Sequence, residues 1–163
     1  MVKGKSTTRD IRLILDNIRS VHNVGSIFRT ADTLGISRIY CFDTTPIPVD
    51  RFKNKRKDFA KVALGAEDSV PWEHIIDGSL LISILKKEGF YIMALEQASN
   101  SIDYKKVSLC GKVAIILGNE VDGVSKKLLQ KCDVIAEIPL IGKKESLNVS
   151  VSAGIFLYRL LDR

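Results

Sequence analysis

The run Val113-Ala-Ile-Ile-Leu117 has five consecutive apolar residues, and a strand of that kind has to be covered on both faces. This requirement points to an α/β fold with a mainly parallel sheet and helices on both faces, because crossover helices are what supply the cover. The rest of the chain provides the parts. Arg12–Leu15, Arg38–Phe42, Phe90–Leu95 and Val134–Ile138 read as further strands. Ser26–Leu34 reads as a helix with Ile27, Ala31 and Leu34 at core-facing spacing, stopped by Gly35. Leu80–Lys87 and a segment from Ser125 through Lys131 read as two more helices. A long apolar helix over Asn148–Leu161 closes the order, after Pro139 has ended the last strand.

A length of 163 residues suits a single domain over residues 1–163, with residues 1–10 as a basic N-terminal tail. The net charge of +6 suits a polyanionic partner, although a mildly basic soluble protein carries it equally well. Cys41, Cys110 and Cys132 lack CxxC spacing and fit reduced thiols filling core space. No signal peptide and no membrane-spanning run appears, so the expectation is a cytoplasmic protein without a membrane partner.

Several common chemistries have no footing. There is no GxGxxG after a strand, no GxxxxGK[ST] phosphate loop and no GxSxG elbow. His22 and His74 lack the partner spacing of a zinc site, so no metal is expected.

Three polar segments remain. In Asn17–Asp32, Asn23 can cap a helix, Gly25 permits close backbone approach, and Arg29 lies about one turn in; helix capping and an anion site both fit this pattern. In Leu117–Ser125, LGNEVDGVS, two glycines bracket Asn119, Glu120 and Asp122 at the carboxyl end of the buried strand, where open α/β sheets place their ligands. In Ile138–Ser152, Ser146 and Asn148 sit at the mouth of the terminal helix and read as functional. Ser150 and Ser152 read as small packing residues.

Taken together, NVGSIFRTAD, LGNEVDGVS and IPLIGKKESLNVSVSAG resemble, in order, the three signature motifs of the SpoU/TrmH branch of the SPOUT RNA 2′-O-methyltransferases. The resemblance spans essentially the whole chain, so the expectation is a single domain with no separate RNA-recognition domain of the kind many members carry. It implies a C-terminal deep trefoil knot, which the general rule against threaded connections would not anticipate. It implies S-adenosyl-L-methionine as cofactor, at Leu95, Gly118, Asn119, Ile138, Leu140, Ser146 and Leu147. It places the catalytic arginine on Arg29, with Asn23, Glu120, Ser146 and Asn148 around it, and it implies a homodimer. Arg29 is then either a general base or a clamp on the phosphate beside the target ribose; a guanidinium holds its proton too tightly to favour the first outright.

One basic segment lies outside those motifs. RFKNKRKDFAK, residues 51–61, packs cations around Phe52 and Phe59. A solvated face accounts for such a run. So does RNA binding, with Arg51, Lys53, Lys55, Arg56 and Lys57 joining Arg29 on phosphates and an aromatic ring on a base. The expected function is methylation of RNA ribose, with tRNA ahead of rRNA. The alternative is a non-catalytic RNA-binding module on the same fold.

Overall fold

The computed structural model describes residues 9–109 and 111–162. Residues 1–8 of the expected tail, and Cys110, lie outside them. The described residues form strands β1 (Ile11–Asp16), β2 (Arg38–Phe42), β3 (Trp72–Ile75), β4 (Tyr91–Leu95), β5 (Ile102–Asp103), β6 (Val113–Leu117) and β7 (Val134–Glu137). The helices are α1 (Val21–Leu34), α2 (Lys57–Ala63), α3 (Ala66–Ser69), α4 (Gly78–Lys87), α5 (Lys126–Leu129) and α6 (Val149–Leu161).

The strands form one sheet in the order β3-β2-β1-β6-β4-β7-β5, and every pairing is parallel. All five residues of β6 are buried, which is why its sequence has no polar face. One face of the sheet, carrying Leu13, Leu15, Ile39, Met93 and Ile115, packs under α1, α2 and α6. The other, carrying Ile14, Tyr40, Ile92, Ala94 and Ile116, packs under α4 and α5. Among the described residues, no helix is long and apolar enough to cross a membrane. Burial pushes the Cys41 thiol up to about 12, in keeping with an inert core residue.

Helix α1 starts earlier than its sequence pattern predicts. Ser20, not Asn23, is its N-cap, and the Ser20 hydroxyl accepts from Asn23 N at 3.2 Å. Gly25 therefore sits inside the helix rather than before it. A Cβ there would approach Val62 Cβ to 2.9 Å, so the glycine is what lets α1 lie close against α2.

Parallel register sets up the site. Leu15, Leu117, Leu95 and Ala136 stand in line across β1, β6, β4 and β7. The residues that follow them, Asp16, Gly118, Glu96 and Glu137, therefore emerge side by side along the carboxyl edge of the sheet.

Candidate active site

From that edge, the loop after β6 turns back on itself within a few residues. Asn119 and Gly123 exchange both backbone hydrogen bonds at 3.0 Å. Asn119 Oδ1 accepts from Val121 N at 2.8 Å and Asp122 N at 3.1 Å, while its Nδ2 donates to Asn17 O at 2.7 Å. The Asn119 side chain and N–H are thus consumed in shaping the loop, which leaves the second lone pair of its carbonyl for any ligand. A Cβ on Gly118 would lie 2.3 Å from Gly123 C and Val124 N, so no larger residue fits.

Two carboxylates fix the closed loop from its flanks. Asp16, buried at the end of β1, accepts from Ser125 N through Oδ2 at 2.8 Å. Glu96, just beyond β4, accepts from Val124 N through Oε2 at 2.7 Å. Neighbouring amides of one loop are held by the strands on either side of β6. Charge-assisted bonds of this kind are roughly twice as strong as neutral ones. Neither residue carries a motif signature, and sequence reasoning passed over both.

The loop and the segment after β7 enclose a cavity of about 330 Å³. All seven positions expected to hold a cofactor line it: Leu95, Gly118, Asn119, Ile138, Leu140, Ser146 and Leu147. Glu120 lines it too, as does Ser152, which the sequence pattern had left to packing.

Beside this cavity a short chain of side-chain bonds joins all three motif segments. Asn23 Nδ2 donates to Glu120 Oε1 at 2.8 Å, across 97 residues of sequence. Asn148 Nδ2 donates to Asn23 Oδ1 at 3.1 Å, across 125 residues. Asn148 is also the N-cap of α6, its Oδ1 accepting from Ser150 N at 2.9 Å and Ser150 Oγ at 2.6 Å. The cap therefore orients one amide, which orients the next, which holds the carboxylate.

Arg29 stands apart. Six residues beyond Asn23 on α1, it lies roughly 9 Å further along the helix and about 120° around it. It is exposed and does not line the cavity. A single chain brings together Asn23, Glu120, Ser146 and Asn148 but leaves Arg29 outside.

The basic segment is an ordered loop, not a loose charge run. Asp50 Oδ1 accepts from Phe52 N at 2.8 Å and Asn54 N at 2.9 Å, and a Val49–Lys55 bridge closes the base. The Asn54 N–H, chiefly, holds the Asp50 carboxyl below its ordinary range. At the tip, the Arg51 guanidinium lies 4.7 Å from the exposed Phe52 ring. Phe59 is fully buried, edge-on to Phe28 at 5.1 Å, which leaves Phe52 as the ring of this segment open to a base. Two of the six expected RNA-contacting cations are already engaged, Lys55 with Asp68 and Arg56 with Asp58, each at 2.6 Å. Arg51, Lys53 and Lys57 are exposed and make no ion pair among the described residues.

With this geometry in view, the comparisons with known proteins agree. The model of the SpoU rRNA Methylase family matches residues 10–158. The chain is 35% identical over 156 residues to the 23S rRNA (guanosine-2'-O-)-methyltransferase RlmB of Coxiella burnetii, covering 96% of this chain and 60% of that one. It spans 58–60% of the length of the curated relatives it matches. The crystal structure of the A. aeolicus TrmH/SpoU tRNA modifying enzyme is similar with a TM-score of 0.83 and 26% identity, covering 95% of this chain and 75% of that one. The AdoMet-bound rRNA methyltransferase from Sinorhizobium meliloti gives 0.82 and 26%, covering 93% and 55%.

Proposed function

We propose, since this chain belongs to the SpoU rRNA methylase family, that it is an S-adenosylmethionine-dependent RNA 2′-O-ribose methyltransferase. The observation that carries the reading is the bonded chain Asn148–Asn23–Glu120, which ties three sequence-distant segments together at the rim of one cavity. A packing role alone does not require three amide and carboxylate side chains to be satisfied by one another.

The cavity suits the cofactor. Leu95, Ile138, Leu140 and Leu147 offer apolar walls for an adenine, and the carboxylates among its lining suit a ligand with sulfonium and ammonium charges. Gly118, Ser146 and the backbone of Asn119 complete the set we assign to it. When bound, the cofactor supplies an electrophilic methyl group.

A ribose hydroxyl is a weak nucleophile until its proton leaves or its developing charge is met. We assign Arg29 to the second task, clamping the phosphate beside the target ribose and stabilising the alkoxide. Glu120, fixed through Oε1 by Asn23, is the group we assign to receive the proton. Because Arg29 lies outside its own chain's cavity, the complete site in this reading draws it from a second copy. Val151, Ile155 and Tyr158 on α6, with Leu147 just before it, are exposed apolar side chains, which supports a homodimer. The same reading includes a trefoil knot in the C-terminal segment, and the position of β4 between β6 and β7 is in keeping with it.

For the substrate we place tRNA ahead of rRNA. Of the three relatives described, the one whose length this chain covers most fully is the tRNA modifying enzyme. The test is a map of 2′-O-methylation across total RNA, with and without the protein. We expect added methyl groups at defined tRNA positions; an unchanged map, with no calorimetric binding of S-adenosylmethionine, overturns the reading in favour of an RNA-binding module.

A further inference from the structure

Five carboxylates line the cavity, Glu96, Glu120, Asp122, Glu137 and Glu145, and among the described residues no Lys, Arg or His lines it. Nor are any three His, Cys, Asp or Glu side chains among those residues grouped so as to hold a metal ion. In the methyl-transfer reading, the sulfonium and ammonium of the donor supply the counter-charge to this lining.

The five are not equivalent. Asp122 is largely exposed and faces Arg19 at 3.9 Å, which offsets its charge. Glu120 is held through one oxygen by Asn23. Glu96 is held through both: Oε2 accepts from Val124 N at 2.7 Å and Oε1 from Gln97 N at 2.8 Å. The second glycine of the loop, Gly123, adopts a left-handed φ of 68° and leaves room for this carboxylate, since a Cβ there would lie 2.1 Å from Glu96 Oε2. A charge fixed by the backbone needs no reorganisation when a ligand arrives, so its full field acts on whatever occupies the cavity.

We propose that Glu96 is a specificity-determining residue, and that its fixed carboxylate makes the cavity prefer the cationic methyl donor to the neutral product left after transfer. The inference rests on the methyl-transfer reading above. In that reaction the S–CH₃ bond breaks with its electron pair staying on sulfur, the ribose O–CH₃ bond forms, and the hydroxyl proton passes to Glu120. The positive charge on sulfur is thus lost, which weakens the attraction to Glu96, while the ammonium is common to donor and product. Product release is favoured by the same group that favours donor entry.

Titration calorimetry tests this with S-adenosylmethionine and S-adenosylhomocysteine on the wild-type protein and on Glu96→Gln. The wild type is expected to bind the donor more tightly. The variant is expected to lose about tenfold in donor affinity and no more than about twofold in product affinity. Equal losses for both ligands reduce Glu96 to a loop fastener and overturn the proposal. Should the variant fail to fold, the wild type decides alone: product bound as tightly as donor overturns it. A wild type that binds neither ligand removes the methyl-transfer reading as well, a result distinct from both.

Discussion

The cavity wall and the basic loop are both polar, yet they are built on opposite principles. Around the cavity, each directing side chain is held by another group of the same chain: Asn119 by the loop it shapes, Glu96 and Asp16 by neighbouring amides, Asn23 by Glu120 and Asn148. On the other side, Arg51, Lys53, Lys57 and Arg29 extend into solvent, and no common point among the described residues gathers them. A small ligand demands geometry that exists before it arrives. A polyanion demands charge within reach, and brings its own geometry.

If this division holds, the Arg29→Ala variant separates the two functions most sharply. Methyl transfer is expected to fall by roughly 10²–10³-fold, while S-adenosylmethionine binding by calorimetry stays within about twofold. A parallel loss of donor binding breaks the comparison by showing Arg29 to be part of the cavity. Near-normal transfer by Arg29→Lys would narrow the requirement from a guanidinium to a positive charge.

Gly118→Ala probes the preformed side. With its Cβ 2.3 Å from loop backbone, it is expected to cost about 1–3 kcal/mol of stability and to abolish donor binding; urea denaturation and calorimetry read the two. Asn148→Ala removes the α6 cap and the link to Asn23 together. We expect about 1 kcal/mol of destabilisation by urea denaturation, with a weakened methyl transfer rate. Unchanged stability would show that the cap is not what holds the network.

The smallest effects belong to the basic loop. Lys53→Ala is expected to leave stability within about 0.5 kcal/mol and to lower the salt dependence of RNA binding by about one unit of slope. Lys55→Ala, whose charge already meets Asp68, is expected to change that slope less. Equal effects from the two would show that RNA displaces the Asp68 pair.

Much of this architecture could be read from the chain because burial leaves a mark on sequence. Strands β1, β2, β4, β6 and β7 lie at the centre and write apolar runs; β3 and β5 are edge strands, mostly exposed, and write none. The apolar spacing marks α1 only from Ser26, whereas the helix begins at Val21, and Val62 packed against Gly25 is a contact that no local pattern reveals. Among site residues, Asn23, Glu120, Ser146 and Asn148 were legible as parts of motifs. Asp16 and Glu96 were not, because a carboxylate at a strand end looks the same whether it faces water or an amide 109 or 28 residues away. Phe59 and Phe52 show the same limit: two aromatic rings in one basic stretch, one in the core and one in solvent, separated by a turn that the charge pattern conceals.

The pairing of β1 with β6 also bears on how the protein is made. Ile11–Asp16 leaves the ribosome before its partner, and one edge of that strand stays open until Val113–Leu117 follows, roughly a hundred residues later. At ordinary translation speeds the wait is on the order of 5–20 s. During that interval Leu13, Ile14 and Leu15 present an unpaired apolar ribbon to everything nearby. The yield of this protein in a cell therefore depends on what shelters that ribbon until its partner strand has been synthesised.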